Sequence, residues 1–274
     1  MSYKTIIVLV DEARHASERV RHAAGLAIRF DAHLVGSAFT ATSLGQAAVA
    51  ALQQIMPPPE AVMARSRLAA ALDRFDAIAS SEGVLSIERR LQDGHGDNLA
   101  LDARCADLAV VSQFDPDDPA YQYIPGSLPE QVVLVSGRPV LILPHKPGVA
   151  KIGSCVLIAW DSSLAATRAV YQALPLLRGA ARCLICAFSV TDRSDHAPAA
   201  ELAKYLGRHG VACETQHCAA PLTDGAQLLD VAASLAADLI VMGCYGRSHF
   251  RELMLGGITE TILRTATVPV LMSH

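Results

Sequence analysis

An internal repeat is the feature that most constrains this 274-residue chain, because a duplicated segment must fold the same way twice. Four landmarks follow one another in both halves: an Asp that ends an apolar run, an Asp that precedes a later apolar run, a Gly, and a Pro in the last apolar run. The pairs are Asp11 and Asp161, Asp107 and Asp238, Gly126 and Gly256, and Pro139 and Pro269. The separation falls from 150 residues for the first pair to 130 for the last, so the first half carries the extra residues, mostly around positions 57–59.

Each half alternates short apolar runs, which suit buried strands, with segments of helical periodicity. Strands are predicted over residues 5–10, 33–39, 85–91, 108–111 and 138–143, and again over 155–159, 183–190, 211–217, 239–242 and 268–272. Helices are predicted over residues 18–30, 60–80, 98–105, 165–177, 198–209, 228–236 and 258–264. The alternation predicts an α/β fold of two tandem domains, residues 1–146 and 152–274, each with a doubly wound parallel sheet.

Composition excludes several classes of protein. Hydrophobic residues make up 51% and charged residues 18%, which excludes a disordered chain. The net charge of -4, without a basic stripe, argues against a nucleic-acid-binding surface. The apolar run at residues 6–10 is too short for a signal peptide or a membrane span, so no membrane partner is expected. Because the cysteine pattern does not indicate disulfides, a reducing cytoplasm is the expected compartment.

The seven cysteines, an odd number, do not form the pattern of a disulfide framework. Cys183 and Cys186 have the spacing of a redox or metal motif, but they fall in a predicted strand, where positions three apart face opposite sides. Two buried thiols are therefore expected there, and no metal site is predicted.

A glycine-rich turn follows the strand predicted at residues 239–242. Gly243 and Gly246 frame that turn, and Gly256 and Gly257 precede a helical run. Glycine lets backbone N–H groups approach a ligand closely, and a helix N-terminus favours negative charge. This pattern is typical of a phosphate-binding site.

At these residues the sequence resembles the universal stress protein family, whose nucleotide-binding members carry Gly-x2-Gly-x9-Gly-(Ser/Thr). Gly243, Gly246 and Gly256 match that motif, whereas Gly257 stands in place of the Ser or Thr. The resemblance implies an adenine-nucleotide α-hydrolase-like fold and, in the second half, binding of ATP, either alone or with Mg²⁺. Thr259 is the nearby hydroxyl that could replace the missing one.

The resemblance also implies roles for individual residues. Asp161 would contact the nucleoside end, or else cap the following helix, and the base and ribose would meet Ala159, Phe188, Met242 and Gly243. The phosphates would be held by Gly246, Gly256, Gly257 and Ile258. Arg247 would face phosphate oxygens or lie in a solvated loop.

The first half lacks most of this motif. Ser112 and Asp115 occupy the positions of the first two glycines, and Asp117 and Asp118 add negative charge that would repel phosphates. Ser127 keeps the hydroxyl that the second half lost. No ATP is expected in the first half, where residues 115–118 are expected to form an exposed acidic loop. No catalytic motif occurs in either half, so at most slow ATP hydrolysis is expected.

Two functions remain open at this point. The first is a cytoplasmic stress-response protein that binds ATP or a related adenine nucleotide in its second domain. The alternative is a protein–protein interaction module without nucleotide that keeps only the fold. In both, the resemblance implies that the fifth strands pair in an intramolecular pseudo-dimer, and a homodimer of chains is a further expectation, with the protein partner unspecified.

Overall fold

The computed structural model describes residues 2–41, 59–94, 97–122, 127–146, 148, 151–187, 198–217, 225–245 and 257–274. It divides the chain into two compact units, residues 2–136 and 137–274. None of the helices in these ranges combines the length and apolar composition needed to cross a bilayer.

The first unit contains four parallel strands in the order β3-β2-β1-β4. Its strands are β1 (Thr5–Leu9), β2 (His33–Ala41), β3 (Ile87–Gly94) and β4 (Leu108–Ser112). Its helices are α1 (Ala16–Phe30), α2 (Pro59–Glu82), α3 (Asp97–Ala103) and α4 (Leu128–Ser136), with a 3-10 turn at Pro119–Gln122. β4 is buried along its whole length, as expected of a central parallel strand.

The second unit repeats this order with β8-β7-β6-β9 and then adds β10 and β5. Its strands are β5 (Val140–Leu143), β6 (Cys155–Trp160), β7 (Arg182–Ala187), β8 (Glu214–His217), β9 (Leu239–Gly243) and β10 (Val270–Ser273). Its helices are α5 (Leu164–Leu177), α6 (Pro198–Arg208), α7 (Gly225–Ser234) and α8 (Ile258–Thr265). All neighbours pair in parallel except β5 and β10, which are antiparallel.

The predicted α/β class and the repeated strand order are confirmed, and so is the pairing of the two fifth strands. The two compact units divide at residue 137, before β5, which packs with β10. The domain bounds 1–146 and 152–274 stay a prediction from the repeat. The sequence reading also missed α4, a short and largely apolar helix.

The repeated Asp before each fourth strand has a structural explanation. Asp238 accepts hydrogen bonds from the backbone N–H groups of Gly153, Ser154 and Cys155 at 2.9–3.0 Å, which fixes the start of β6 beside β9. Asp107 does the same for β1, accepting from the N–H groups of Lys4 and Thr5 at 2.7 and 3.0 Å. Each carboxylate therefore joins the first and fourth strands of its sheet.

Replacing Asp238 with Ala should lower the free energy of unfolding by about 1–3 kcal/mol, because three backbone donors lose a charged acceptor. Urea denaturation followed by circular dichroism measures this loss. Asp230→Ala removes an exposed carboxylate from α7 and is the matched control, for which no comparable change is expected. Equal effects of the two substitutions would contradict the structural role of Asp238.

Candidate functional site

The strand order of the second unit reverses between β6 and β9, and ligands in doubly wound sheets bind beyond the carboxyl ends of strands at such a point. Ala159 of β6 and Met242 of β9 are register partners there, and both are buried. The chain leaves β6 at Asp161 and β9 at Gly243. Four of the predicted site residues are thus brought together by the sheet itself.

The loop after β6 holds Asp161 in a fixed position. Its Oδ1 accepts a hydrogen bond from the Ser163 N–H at 3.0 Å, and no bond from its Oδ2 to a described residue is found. The α5 N-cap is Ser163, whose Oγ accepts from the Ala166 N–H at 3.1 Å, so Asp161 does not itself cap the helix. Ser163 therefore takes the capping role, and Oδ2 of Asp161 is not engaged by any residue that the structure describes.

The loop after β9 begins with a close approach of two backbones. A Cβ placed on Gly243 would lie 2.5 Å from the Ala166 nitrogen and 2.8 Å from the Ala165 carbonyl carbon. Only glycine fits this contact between β9 and α5. The next residue is held on both sides, since the Cys244 N–H donates to the Ser273 carbonyl at 2.8 Å and its carbonyl contacts the His274 ring at 2.9 Å.

Both loops contain a non-glycine residue in the left-handed region: Ser162 has φ of 63° and Tyr245 has φ of 53°. Such conformations are uncommon outside glycine, and they concentrate at ligand-binding and active sites, where the surrounding structure maintains the strain. Their presence at the ends of both central strands marks this edge of the sheet as a candidate site.

The start of α8 contributes the third part of the site. Gly257 is the N-cap residue and provides no side-chain cap, so the first backbone N–H groups of the helix lack that partner. Ile258 follows as the first helical residue. Thr259 is buried, and its Oγ1 accepts a hydrogen bond from the Tyr245 N–H at 3.4 Å. Thr259 therefore connects α8 to the β9 loop, and its hydroxyl is already engaged.

Four of the predicted site residues lie outside the described part of the chain: Phe188, Gly246, Arg247 and Gly256. The described ones are Ala159, Asp161, Met242 and Gly243 at the strand ends, with Gly257 and Ile258 at the start of α8. The Tyr245–Thr259 bond is what brings the second group to the first.

The first unit has the same loop after β1, but its crevice is filled. Asp11 Oδ1 accepts from the Ala13 N–H at 3.0 Å, as Asp161 does from Ser163. In addition, the fully buried Arg19 donates to Asp11 Oδ1 at 2.7 Å, to the Leu9 carbonyl at 2.9 Å and to Ser112 Oγ at 3.0 Å. The guanidinium thus lies between the ends of β1 and β4, where it binds Asp11 Oδ1 and Ser112 Oγ and neutralises the carboxylate.

Arg19 and Ser112 replace a pair of small residues in the second unit. All six buried residues of α1 coincide with buried residues of α5 at the 150-residue offset of Asp11 and Asp161, which matches Arg19 with Ala169. Ser112 ends β4 as Gly243 ends β9. The small residues Ala169 and Gly243 thus stand where the first unit has the hydrogen-bonded pair Arg19 and Ser112. The sequence reading missed Arg19, because an Arg at the border of an amphipathic face normally extends to solvent.

The acidic segment of the first unit is not the exposed loop that the sequence predicted. Asp115 and Asp118 are both buried, and Asp117 is exposed. Asp118 accepts from the backbone N–H groups of Arg14 and Ala120 at 2.6 and 3.0 Å, and Asp115 accepts from that of Asp117 at 3.0 Å. The carboxylates are buried because backbone donors replace their water.

The expectation of two buried thiols in β7 is correct for Cys183 alone. Cys183 is a buried free thiol, whereas Cys186 is disulfide-bonded. The error arose because a strand-like pattern around one cysteine contains no information about a distant partner.

Comparison with known proteins gives a family match for the end of the chain. The model of the universal stress protein family matches residues 223–274. A universal stress protein of Methanocaldococcus jannaschii is 30% identical over 46 residues, which cover 17% of this chain and 28% of that protein. The matched segment contains β9, α8 and β10, and with them much of the candidate site.

Solved structures extend the likeness to the whole fold. A universal stress protein from Archaeoglobus fulgidus has a TM-score of 0.77 at 17% identity, covering 98% of this chain and 95% of its own. A protein of Pseudomonas aeruginosa described as a universal stress protein has a TM-score of 0.58 at 17% identity, covering 99% and 93%. The chain thus has the α/β fold of solved universal stress proteins, and its last part, residues 223–274, matches the universal stress protein family.

Proposed function

We propose that the second unit binds an adenine nucleotide, ATP or a relative, and that the chain is a nucleotide-responsive stress protein. The observation that carries the proposal is the combination at the β6–β9 switch point. At this point Asp161 has one carboxylate oxygen, Oδ2, for a ligand. The N-terminus of α8 has no side-chain cap, and the Tyr245–Thr259 hydrogen bond joins it to the same edge of the sheet. The acidic group suits nucleoside hydroxyls, and the helix N-terminus suits phosphates.

The contrast between the two units supports this proposal. The second unit has the small residues Ala169 and Gly243 at the positions where the first unit has Arg19 and Ser112. Arg19 donates to Asp11 Oδ1 and Ser112 Oγ and neutralises the charge of Asp11, so nucleotide is proposed for the second unit alone.

One observation favours the alternative, an interaction module without nucleotide. Gly243 is already explained by its contact with the backbone of α5, so its presence does not require a ligand. The alternative does not explain the left-handed backbone at Ser162 and Tyr245. Under the nucleotide proposal, both residues belong to loops that bind the ligand.

Trp160, the only tryptophan of the chain, provides the test because it directly precedes Asp161. Titration with ATP, with and without Mg²⁺, should change its fluorescence, and equilibrium dialysis should give one nucleotide per chain. A nucleotide concentration about a hundred times the Kd should also stabilise the protein by about 2.7 kcal/mol. Absence of retained nucleotide in dialysis would reject the proposal.

Two substitutions sharpen this experiment. Asp161→Asn keeps the Oδ1 acceptor for Ser163 but removes the charge, and it should weaken binding about tenfold, since hydrogen bonds to charged groups contribute about 1.5–3 kcal/mol. Gly257→Ser restores the hydroxyl of the family motif and should strengthen binding. Asp230→Asn, an exposed change of equal charge on α7, should leave the Kd unaltered.

A further inference from the structure

Two thiols of the second unit are neighbours on adjacent strands. Cys183 belongs to β7, and Cys213 directly precedes β8. The parallel register pairs Leu184 with Glu214. Cys183 and Cys213 each precede these residues by one position, so they lie opposite each other on the same face of the sheet. Neighbouring strands lie about 4.8 Å apart, within the Cα separation of about 4.4–6.8 Å that a disulfide accepts.

The side chains of the two cysteines interact. Cys183 is buried, Cys213 is half-buried, and their side chains are hydrogen-bonded. That bond, with burial as the second cause, raises the pKa of Cys183, and the same bond lowers the pKa of Cys213. The more accessible of the two thiols is therefore also the more readily ionised one.

Other groups at this end of the sheet do not compete for the pair. Cys155 is the register partner of Arg182, so it belongs to the opposite face from Cys183. Arg182 forms an ion pair with Glu214, its Nη2 2.9 Å from Oε2, across the same two strands. This contact aligns β7 and β8 beside the thiols, although an exposed ion pair adds little stability.

We propose that Cys183 and Cys213 form an oxidation site at which a hydroperoxide generates an intramolecular disulfide. The Cys213 thiolate attacks the terminal peroxide oxygen, the O–O bond breaks, and a sulfenic acid forms as water or an alcohol leaves with the proton. The Cys183 sulfur then attacks the sulfur of Cys213, a second water is released, and the S–S bond forms. Two thiols are oxidised and one peroxide is reduced.

The site is separate from the proposed nucleotide site. Cys183 and Cys213 lie at the amino ends of β7 and β8, whereas Asp161 and Gly243 lie at the carboxyl ends of β6 and β9. Because the strands are parallel, these are opposite edges of the sheet. The chain would thus have a peroxide-sensitive position in the same unit as its candidate ligand site, and neither inference depends on the other.

Peptide mapping of the intact protein tests the proposal. The protein is exposed to one equivalent of hydrogen peroxide, free thiols are blocked with N-ethylmaleimide, and the chain is cut with trypsin and with a protease specific for Glu. Cleavage after Glu214 isolates residues 209–214, which contain Cys213, from Cys218. The expected product is this peptide cross-linked to residues 183–193, which also carry the peptide joined to Cys186 through its existing disulfide. The new link lowers the combined mass by two hydrogen atoms. A chymotryptic cut after Leu184 then assigns the link to Cys183 instead of Cys186.

The variants Cys183→Ala and Cys213→Ala should each abolish the cross-link. Cys105→Ala removes an exposed free thiol of the first unit and should preserve it. Recovery of residues 209–214 only as the maleimide adduct, or as a sulfinic acid, would overturn the proposal. So would a cross-link that persists in Cys183→Ala or joins Cys213 to Cys155. The result for the unsubstituted protein decides the question even if a variant folds poorly.

Discussion

Arg19→Met is expected to lower the free energy of unfolding by about 3–5 kcal/mol, because it leaves the carboxylate of Asp11 buried without its cation. The side chain of Arg19 is fully buried, and that of Asp11 is 5% exposed. One oxygen of Asp11, Oδ2, already lacks a hydrogen-bond partner among the described residues, so no other group compensates for the loss. Urea denaturation followed by circular dichroism measures the change, and hydrogen exchange of peptides from β1 and β4 localises it.

Two further proteins establish that the effect comes from an uncompensated charge. Asp11→Asn combined with Arg19→Met removes both charges and keeps an acceptor for the Ala13 N–H, so much of the stability should return. Arg168→Met, an exposed change on α5, should have little effect. If the double variant is as unstable as Arg19→Met, the loss reflects packing and the charge argument is wrong.

Gly243→Ala should destabilise the second unit by about 3 kcal/mol, at the upper end of the usual penalty for overpacking. The new Cβ would lie 2.5 Å from the Ala166 nitrogen and 2.9 Å from the Ala165 Cβ, and a backbone atom cannot move aside as a flexible side chain does. The fluorescence of Trp160 in urea reports this unit specifically, since the chain has a single tryptophan. Binding of nucleotide should weaken at the same time, because the ends of β6 and β9 are displaced.

Gly207→Ala is the matched control for this substitution. Gly207 lies in α6 of the same unit, and a Cβ added there meets no atom within 4 Å. Alanine has the higher helix propensity, so this change should stabilise the protein by about 0.5–1 kcal/mol. A similar response of both glycines would mean that β9 and α5 are not in close contact.

The sequence contained enough information for the fold because local patterns and the repeat agreed. Short apolar runs bounded by Asp or Gly became β1, β4, β6 and β9, and the repeated Asp107 and Asp238 marked equivalent strands. The sequence alone does not show why these Asp residues occur before the fourth strands. They accept hydrogen bonds that join the first and fourth strands, and the donors are 83–103 positions away.

The candidate site was predicted less completely, since side-chain direction is decided by tertiary contacts. Asp161 and Gly243 were named correctly as positions at strand ends, but Ser163 was not recognised as the helix cap. Arg19 could not be placed inside the first unit without knowing that Asp11 and Ser112 face it. Burial of Asp115 and Asp118 likewise depends on backbone donors that no spacing rule identifies.

The strand β5 follows the first four strands in the sequence but packs as part of the second unit. The repeat predicted from the sequence ends after β5, and that strand forms its antiparallel ladder with β10, so Val140 faces Met272 and Ile142 faces Val270. A truncated gene product starting at residue 152 would present β10 as a bare sheet edge, open to self-association. One starting at residue 137 would retain β5 as the strand that covers β10.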